Sequence, residues 1–407
     1  MRARLLALLL TLVALPYLMG LGGQFVWLDH LEIVEGALIV RTPAEALALF
    51  TNDGNFGGYH RPFYNLLHSL DVALFGLEPF GFHVTSLVLH LINVALAALL
   101  ARAAGMGERA AFAVALLFGL HPVGTSVVGL IHSKADLFVT TMLAGSLVLC
   151  LRDLASPRRV ARALSLVLFG VALLTKELAF VYPLGLLAMW LRAASKSDPE
   201  QRRRLAFYVV ATAVLTLAVA LLRLTATGSS GYDSPIGAFH RFLTFFQVYV
   251  DYLVKLVVPW KLSICDTTTA FSSLPALVRL GSSTLFVLLV MGQFALVSRF
   301  PRLFVWVLLF NLALLPVAQL VPILHFRADR FLYLPTLAVI GCAVEGLRLL
   351  AEYRPAIATK HVATGALAVV AVIYAALIVN RLPDFESDEA LFTMELERTP
   401  DYLEGAS

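Results

Sequence analysis

The sequence predicts an all-α polytopic membrane protein with about 11 spanning helices, and three observations carry that expectation. Hydrophobic residues make up 59% of the 407-residue chain, charged residues only 14%, and the mean hydropathy is +0.84. Soluble globular proteins are nearer one quarter charged. Apolar runs of spanning length recur along the chain. Third, the bases are distributed unevenly between the connections.

The runs fall at roughly 3–22, 84–103, 108–121, 137–152, 161–175, 178–193, 205–224, 279–298, 303–324, 331–350 and 362–381. The first follows a short basic start, Arg2 and Arg4, like a secretory signal. It is long for a signal core and has no obvious small-residue cleavage site, so it reads as an uncleaved span. The apolar stretch 242–259 carries Asp251 and Lys255 and ends at "VPWKL". It reads as interfacial or re-entrant, because counting it as a span would break the charge alternation that follows.

With the N-terminus inside, the connections "ARAAGMGER", "RDLASPRRVAR", "RAASKSDPEQRRR", "SRFPR" and "LRLLAEYRPAIATK", plus Arg2 and Arg4, carry 18 of the 31 Lys and Arg residues. Short basic connections mark the cytoplasmic side. The C-terminus then lies outside, as does a large first loop at 23–83 expected to hold amphipathic helices. A membrane domain over 1–381, an outer region at 225–278 and a short outer tail at 382–407, resembling the start of a repeat helix, complete the organisation. Cys150, Cys265 and Cys342 fit neither a disulfide framework nor metal-ligand spacing.

The outer connections mix acids, bases and histidines beside apolar walls. In "FVWLDHLEIVEG", Asp29 stands next to His30 with Glu32 three residues on. A carboxylate at a membrane boundary can serve as a general base when its neighbours tune its pKa, or simply cap a helix in water. In "GGYHRPFYN", Arg61 offers a planar fork for phosphate and His60 a hydrogen bond; a snorkelling arginine is the plainer alternative. His83, His90 and Asn93 share a helical face and suggest an interhelical hydrogen-bond network. In "HPVGTSVVGLIHSKADLF", His121-Pro122 breaks an apolar run ahead of Lys134 and Asp136, which either pair with each other or leave the lysine for an anionic substrate. Lys176 and Glu177 sit between two apolar runs, where charges are paired or functional. Arg327 and Arg330 flank Asp329 at the start of a span, against the charge bias, and suit a lipid phosphate or anionic headgroups. Tyr333 follows in the same run. There is no paired-aspartate motif, no phosphate-binding glycine loop and no cysteine–histidine constellation. This pattern fits chemistry on a lipid-linked phosphosugar: cations for the leaving polyprenyl phosphate, a carboxylate for the acceptor's proton.

Six segments in order resemble the membrane domain of the transmembrane and tetratricopeptide-repeat (TMTC-type) O-mannosyltransferases of the GT-C superfamily: "FVWLDHLEI", "HRPFYNLLHSLDVALFG" running into "PFGFHVTSLVLHLINVAL", "HPVGTSVVGLIHSKADLF", "LLTKELAF", "YLVKLVVPWKLSICDTT" and "LPVAQLVPILHFRADRFLYLP". They cover residue 25 to about 336. The resemblance implies a GT-C fold with its site at the outer face, a polyprenyl-phosphate-linked hexose donor (mannose in that family), inversion at the anomeric carbon, and a hydroxyl on an extracytoplasmic protein or glycan as acceptor. The family's acidic pair falls on Leu28-Asp29, so its first acid is missing. Ser126 stands where the family has an acid, Lys134 where it commonly has arginine, and Asp329-Arg330 where it has Glu-Arg. The family's soluble repeats are expected either to be absent or to lie beyond the end of this sequence.

The residues expected to act are therefore Asp29 and Glu32 in catalysis, and Arg61, Lys134, Lys176, Arg327 and Arg330 on the donor phosphate. His30, His60, His121, Asp136, Glu177, Asp329 and Tyr333 would support them. No essential metal or other cofactor is expected, one acid beside a histidine being thin ground for a divalent ion, and no nucleic acid. The partners are the bilayer, the lipid-linked sugar and the acceptor. The Ala-, Arg- and Leu-rich composition points to a bacterial inner membrane with a periplasmic site. A non-catalytic polyprenyl-phosphate binder or flippase-like protein is the alternative. A secondary transporter would show inverted repeats and midplane charges, and neither is evident.

Overall fold

The computed structural model describes residues 2–51, 60–193, 198–227, 237–264, 274–320, 327–353 and 360–398. The described residues are helical or in the connections between helices, as the apolar runs require: backbone polar groups in hydrocarbon must be satisfied within their own segment. Seven helical stretches are long and apolar enough to cross a membrane: Ala3–Gly22, Pro79–Ala103, Ile131–Ala155, Pro199–Leu224, Ala276–Arg299, Asp329–Tyr353 and His361–Phe385. The other four expected spans fall on shorter helices. Glu108–Leu120 and Pro122–Val128 form one such run bent by 49°. Arg159–Leu173, Tyr182–Ala193 and the Pro301–Val317 region supply the rest.

In chain order the helices are α1 (Ala3–Tyr17), α2 (Pro43–Ala48), α3 (Pro62–Phe75), α4 (Pro79–Ala103), α5 (Glu108–Leu120), α6 (Thr125–Val128), α7 (Lys134–Ala155), α8 (Arg159–Leu173) and α9 (Tyr182–Ala193). There follow α10 (Pro199–Thr227), α11 (Ala238–Val257), α12 (Ala276–Arg299), α13 (Phe304–Leu314), α14 (Tyr333–Tyr353), α15 (Lys360–Arg381) and α16 (Asp388–Arg398). Helix α4 packs between α5 and α7, α7 on α8, α9 on α10 and α13 on α14. The largest core cluster draws on α1, α4, α5, α7, α14 and α15. On α10, Phe207, Val210, Val214, Leu217, Leu221 and Leu224 are exposed at alternating spacings of three and four. A surface stripe of that kind has lipid as its natural solvent. Helix α11 lies outside the membrane-crossing set.

The expected polar network of α4 is present. His90 Nδ1 lies 2.7 Å from the Tyr333 hydroxyl and Nε2 3.0 Å from the Gly119 carbonyl. Asn93 donates to the Leu137 carbonyl and to Tyr333, and Thr141 donates to Asn93. This ties α4, α5, α7 and α14 together, and Tyr333 is its shared member, buried inside the bundle. His83 is buried but takes no part in this network.

The His121-Pro122 break is built locally. His121 Nδ1 accepts from the Val123 amide, which leaves Nε2 to donate to the Leu256 carbonyl at 3.1 Å. Gly124 follows because a Cβ there would stand 2.3 Å from the Tyr17 hydroxyl. Arg381 then donates to Thr125 and Ser126. The break thereby lets α6 and the turn Ile131–Ser133 cross the end of the bundle and deliver Lys134.

Candidate active site

The first loop leaves α1 and makes a single π turn, His30–Val34, closed by Gly36 at φ +80°. Just before it, Trp27 has φ +54°, a backbone conformation that bulky residues rarely adopt. The contacts that hold it include these: its amide donates to Asp388 Oδ1 at 2.7 Å, its ring meets His132 edge-on at 4.8 Å, and the Arg330 guanidinium lies 5.9 Å from the ring centre. Asp388 also bonds the His30 ring at 2.8 Å. The expected tail helix α16 thus folds back onto the acidic loop. Its Glu395 accepts from the Ser263 hydroxyl and the Ile264 amide, and Arg398 pairs with Asp384.

Asp29 and Glu32 come together, with different surroundings. Asp29 is 0% exposed, and both its oxygens accept backbone amides, from Val26 at 3.1 Å and from His132 at 2.8 Å. Burial, opposed by those two amides and reinforced by the charge of Glu32, pushes its carboxyl up to about 8. Glu32 Oε2 meets the Tyr64 hydroxyl at 2.6 Å, and that hydroxyl also lies 2.7 Å from the His132 carbonyl. One hydroxyl proton serves two acceptors, so either the carbonyl goes without or Glu32 carries a proton of its own. Burial pushes Glu32 up to about 7, against the lowering influence of Tyr64, Arg61 and Arg330. The other oxygen of Glu32 has no hydrogen-bond partner among the described residues.

The expected phosphate-binding cations separate into paired and unpaired. Arg61 holds Glu177 bidentately, at 3.2 and 2.5 Å, and Arg223 reaches the same carboxylate at 2.6 Å. These two guanidinium groups outweigh burial and keep Glu177 well below the usual carboxylate range. Lys134 is 0% exposed and pairs with Asp71, with Thr85 at 3.0 Å. Asp136 pairs with Lys176, at 2.5 and 2.6 Å. The alternative of a Lys134–Asp136 pair is therefore corrected: two residues apart on α7, they point to different sides of the helix, and each faces a partner on another element. Arg327 pairs with Asp251. Asp329, 0% exposed, pairs with Lys255 at 2.8 Å, accepts the Ser263 amide and lies 3.8 Å from Arg381.

Arg330 differs. Among the described residues it has no carboxylate partner, and its Nη1 is buried without a hydrogen bond. It leans on Trp27 and Phe331 instead. Its charge is felt by both Glu32 and Lys176, as is that of Arg61. Burial lowers Lys176 from the usual lysine range, Asp136 opposes the change, and Arg61 and Arg330 add to it. Four segments far apart in sequence thus supply Glu32, Arg61, Lys176 and Arg330 to one electrostatic cluster. His60 is buried beside Arg61, and burial followed by the charge of Arg223 lowers its pKa. His121 and Tyr333 have the structural partners described above. Among the described residues no group of three or more His, Cys, Asp or Glu side chains could hold a metal ion. The Gly-rich stretch before His60, together with Cys265 and His325, lies outside the described residues.

Sequence reasoning missed several members. Tyr64 and Asp71 share one face of α3 with His68, at spacings of four and three, and a polar stripe on an otherwise apolar amphipathic helix was the available signal. Arg223 is a lone base near the far end of a long apolar helix. Asp388 gave no signal, since nothing in its own segment reveals what the helix docks against.

Residues 59–222 match a family described as dolichyl-phosphate-mannose-protein mannosyltransferase. The chain is 30% identical over 273 residues to the protein O-mannosyl-transferase Tmtc2 of Drosophila melanogaster, covering 61% of this chain and 29% of that protein. It is 24% identical over 291 residues to the protein O-mannosyl-transferase F38B6.6 of Caenorhabditis elegans, covering 67% of this chain and 40% of the relative. The alignments thus span less than half the length of either relative. Among solved structures, ArnT from Cupriavidus metallidurans bound to undecaprenyl phosphate aligns with 96% of this chain and 72% of its own, at 16% identity and a TM-score of 0.47. This chain is an integral membrane protein whose membrane domain is similar to that of the TMTC O-mannosyltransferases.

Proposed function

We propose that the protein is a membrane glycosyltransferase moving a hexose, mannose on the strength of its relatives, from a polyprenyl-phosphate donor to a hydroxyl of an extracytoplasmic protein or glycan. The observation that carries this reading is Glu32 in the field of Arg330: a carboxyl raised to about 7 with one open oxygen, near a half-buried arginine whose Nη1 is buried without a hydrogen bond and which lacks a carboxylate partner among the described residues. A guanidinium with a buried Nη1 and no anion beside it has an unmet hydrogen bond and charge, and a substrate phosphate would supply both. Glu32 takes the proton of the acceptor hydroxyl as that oxygen bonds to the anomeric carbon. The carbon–oxygen bond to phosphate breaks on the opposite face, so configuration inverts, and polyprenyl phosphate leaves with its negative charge held by Arg330. Arg61 and Lys176 add positive field while remaining tied to Glu177 and Asp136.

Asp29 takes the part of a positioning residue here. Its oxygens are committed to the Val26 and His132 amides, so it joins the first loop to the start of α7. The base so placed is the second acid of the loop, consistent with Leu28 in the place of the family's first. That same leucine favours a second reading, a polyprenyl-phosphate binder without turnover. The charge bias of the connections supports a cytoplasmic N-terminus and an outward-facing site in a bacterial inner membrane.

Transfer from radiolabelled polyprenyl-phosphate mannose to a pool of periplasmic acceptors, using purified protein in detergent, tests the reading. Wild type should transfer label, Glu32→Gln should retain donor binding and lose transfer, and Arg330→Gln should weaken donor binding. Donor binding with no transfer by wild type, after several sugars and acceptors, would favour the binder. Full transfer by Glu32→Gln would move the base elsewhere.

A further inference from the structure

At the opposite end of the bundle, where α4 meets α5, α7 meets α8 and α9 meets α10, lies a cavity of about 570 Å³. That volume is typical of ligand pockets. Its walls are apolar, with Leu99, Val148 and Met189 among them, and three arginines from three helices line it: Arg102, Arg152 and Arg202. This is the end that the charge bias assigns to the cytoplasm.

Two carboxylates of this end, Asp153 and Glu200, are engaged by other bases. Asp153 holds Arg162 at 2.9 Å and the Arg158 amide at 2.7 Å. Glu200 takes Arg203 at 3.6 Å and Arg204 at 3.4 Å. Among the described residues, none of the three cavity arginines has a carboxylate partner. Arg102 and Arg152 lie in the last turns of α4 and α7, where the helix dipole accounts for a cation; Arg102 also donates to the Met106 carbonyl. Arg202 has no such explanation. It sits near the start of α10, against the positive end of that helix, stacks over Trp190 at 4.9 Å, and keeps its Nε buried without a partner. An anion seated between the three would meet three guanidinium groups and the positive end of a 29-residue helix.

We infer that this cavity binds an anionic phospholipid of the adjacent leaflet, its phosphate among Arg102, Arg152 and Arg202 and its acyl chain against Leu99, Val148 and Met189. Apolar walls under a basic rim, between membrane helices, fit a phosphate carrying a chain better than free phosphate. The site stands at the end of the bundle away from Glu32 and Arg330 and does not rest on the reading of that pocket.

Native mass spectrometry of the purified full chain with phosphatidylglycerol, cardiolipin, phosphatidylcholine and inorganic phosphate in separate arms tests the inference. Wild type should retain the two anionic lipids over phosphatidylcholine. Arg152→Gln with Arg202→Gln should weaken their retention about fivefold per arginine, roughly 25-fold together. Arg203→Gln removes the same charge from a side chain 82% exposed on the same helix, and should change retention less than twofold. Equal retention by the double variant, or an equal loss in Arg203→Gln, would overturn the site. Arginine-dependent capture of inorganic phosphate, with no lipid retained, would overturn the lipid assignment. Should the double variant fail to fold, photolabelling wild type with a diazirine phosphatidylglycerol keeps the question open to refutation. Label should map to 99–102 and 148–152, and label confined elsewhere would reject the cavity.

Discussion

The two ends of the bundle use arginine and lysine in opposite ways. At the end that carries Asp29 and Glu32, Arg61, Lys134, Lys176, Lys255 and Arg327 are each committed to a carboxylate from a distant part of the chain, and Arg330 stands apart. At the other end bases outnumber acids, their pairs range from the exposed Glu200 with Arg203 and Arg204 to the buried Asp153 with Arg162, and among the described residues three arginines around one cavity lack a carboxylate. The first arrangement holds loops in a fixed relation, and the second holds a sidedness. Surface pairs contribute little to stability, whereas breaking a buried pair leaves a stranded charge.

That contrast explains what could be read in advance. The bias of bases toward one set of connections is a matter of counting, and "RDLASPRRVAR" against "HPVGTSVVGLIHSKAD" is enough to see it. The polar network of α4 was legible too, because His90 and Asn93 sit one turn apart in an apolar helix. Pairings are different, since a carboxylate chooses its base in three dimensions. Lys134 has Asp136 two residues away yet meets Asp71, and Asp136 meets Lys176. Asp29 and Glu32 could be nominated from "WLDHLE", but the commitment of Asp29 to two amides and the open oxygen of Glu32 depend on where α7 begins relative to the first loop.

The largest expected effect sharpens the difference between the two acids. Glu32→Gln should lower kcat by about 10²–10⁴ while donor binding survives. A carboxylic acid is inert as a base, and the Glu32 carboxyl is raised to about 7, so wild-type kcat/KM should rise as pH climbs through about 7 and level above it. Initial rates between pH 5.5 and 9 measure this. An Asp29→Asn variant that loses the same limb while Glu32→Gln keeps it would exchange the two roles.

Next is the unpaired cation. Arg330→Gln should cost about 10²–10³ in kcat/KM, since it removes the charge facing the leaving phosphate. Arg330→Lys should recover only part, because a point charge does not reproduce the planar fork. If Arg327→Gln has the larger effect on donor binding, the assignment of paired and unpaired cations breaks.

The buried pair tests the structural half of the contrast. Lys134→Met should destabilise by about 3–5 kcal/mol, because Asp71 is left with no counter-charge, and the double variant with Asp71→Asn should recover most of that loss. Thermal unfolding in detergent, followed by tryptophan fluorescence, reports both. Equal destabilisation by the single and double variants would mean that Lys134 acts through contacts other than Asp71.

The smallest effect concerns the contact between the tail helix and the first loop. Asp388 bonds the Trp27 amide and the His30 ring, and Trp27 is held in a conformation that costs an aromatic residue about 1–3 kcal/mol. Such a conformation persists only while its surroundings insist on it. Asp388→Ala removes both bonds, each hydrogen bond to a charged group being worth about 1.5–3 kcal/mol, and should let Trp27 relax, drawing the Val26 amide away from Asp29 and shifting Glu32 relative to Arg330. Because Asp388 touches neither Glu32 nor Arg330, kcat should fall about tenfold while the pH limb near 7 stays where it is. Asp388→Asn, which keeps an acceptor for the Trp27 amide, should recover most of the loss. A displaced limb would instead place Asp388 in the titrating network, and an unchanged rate would mean that the other contacts of Trp27 suffice to hold it.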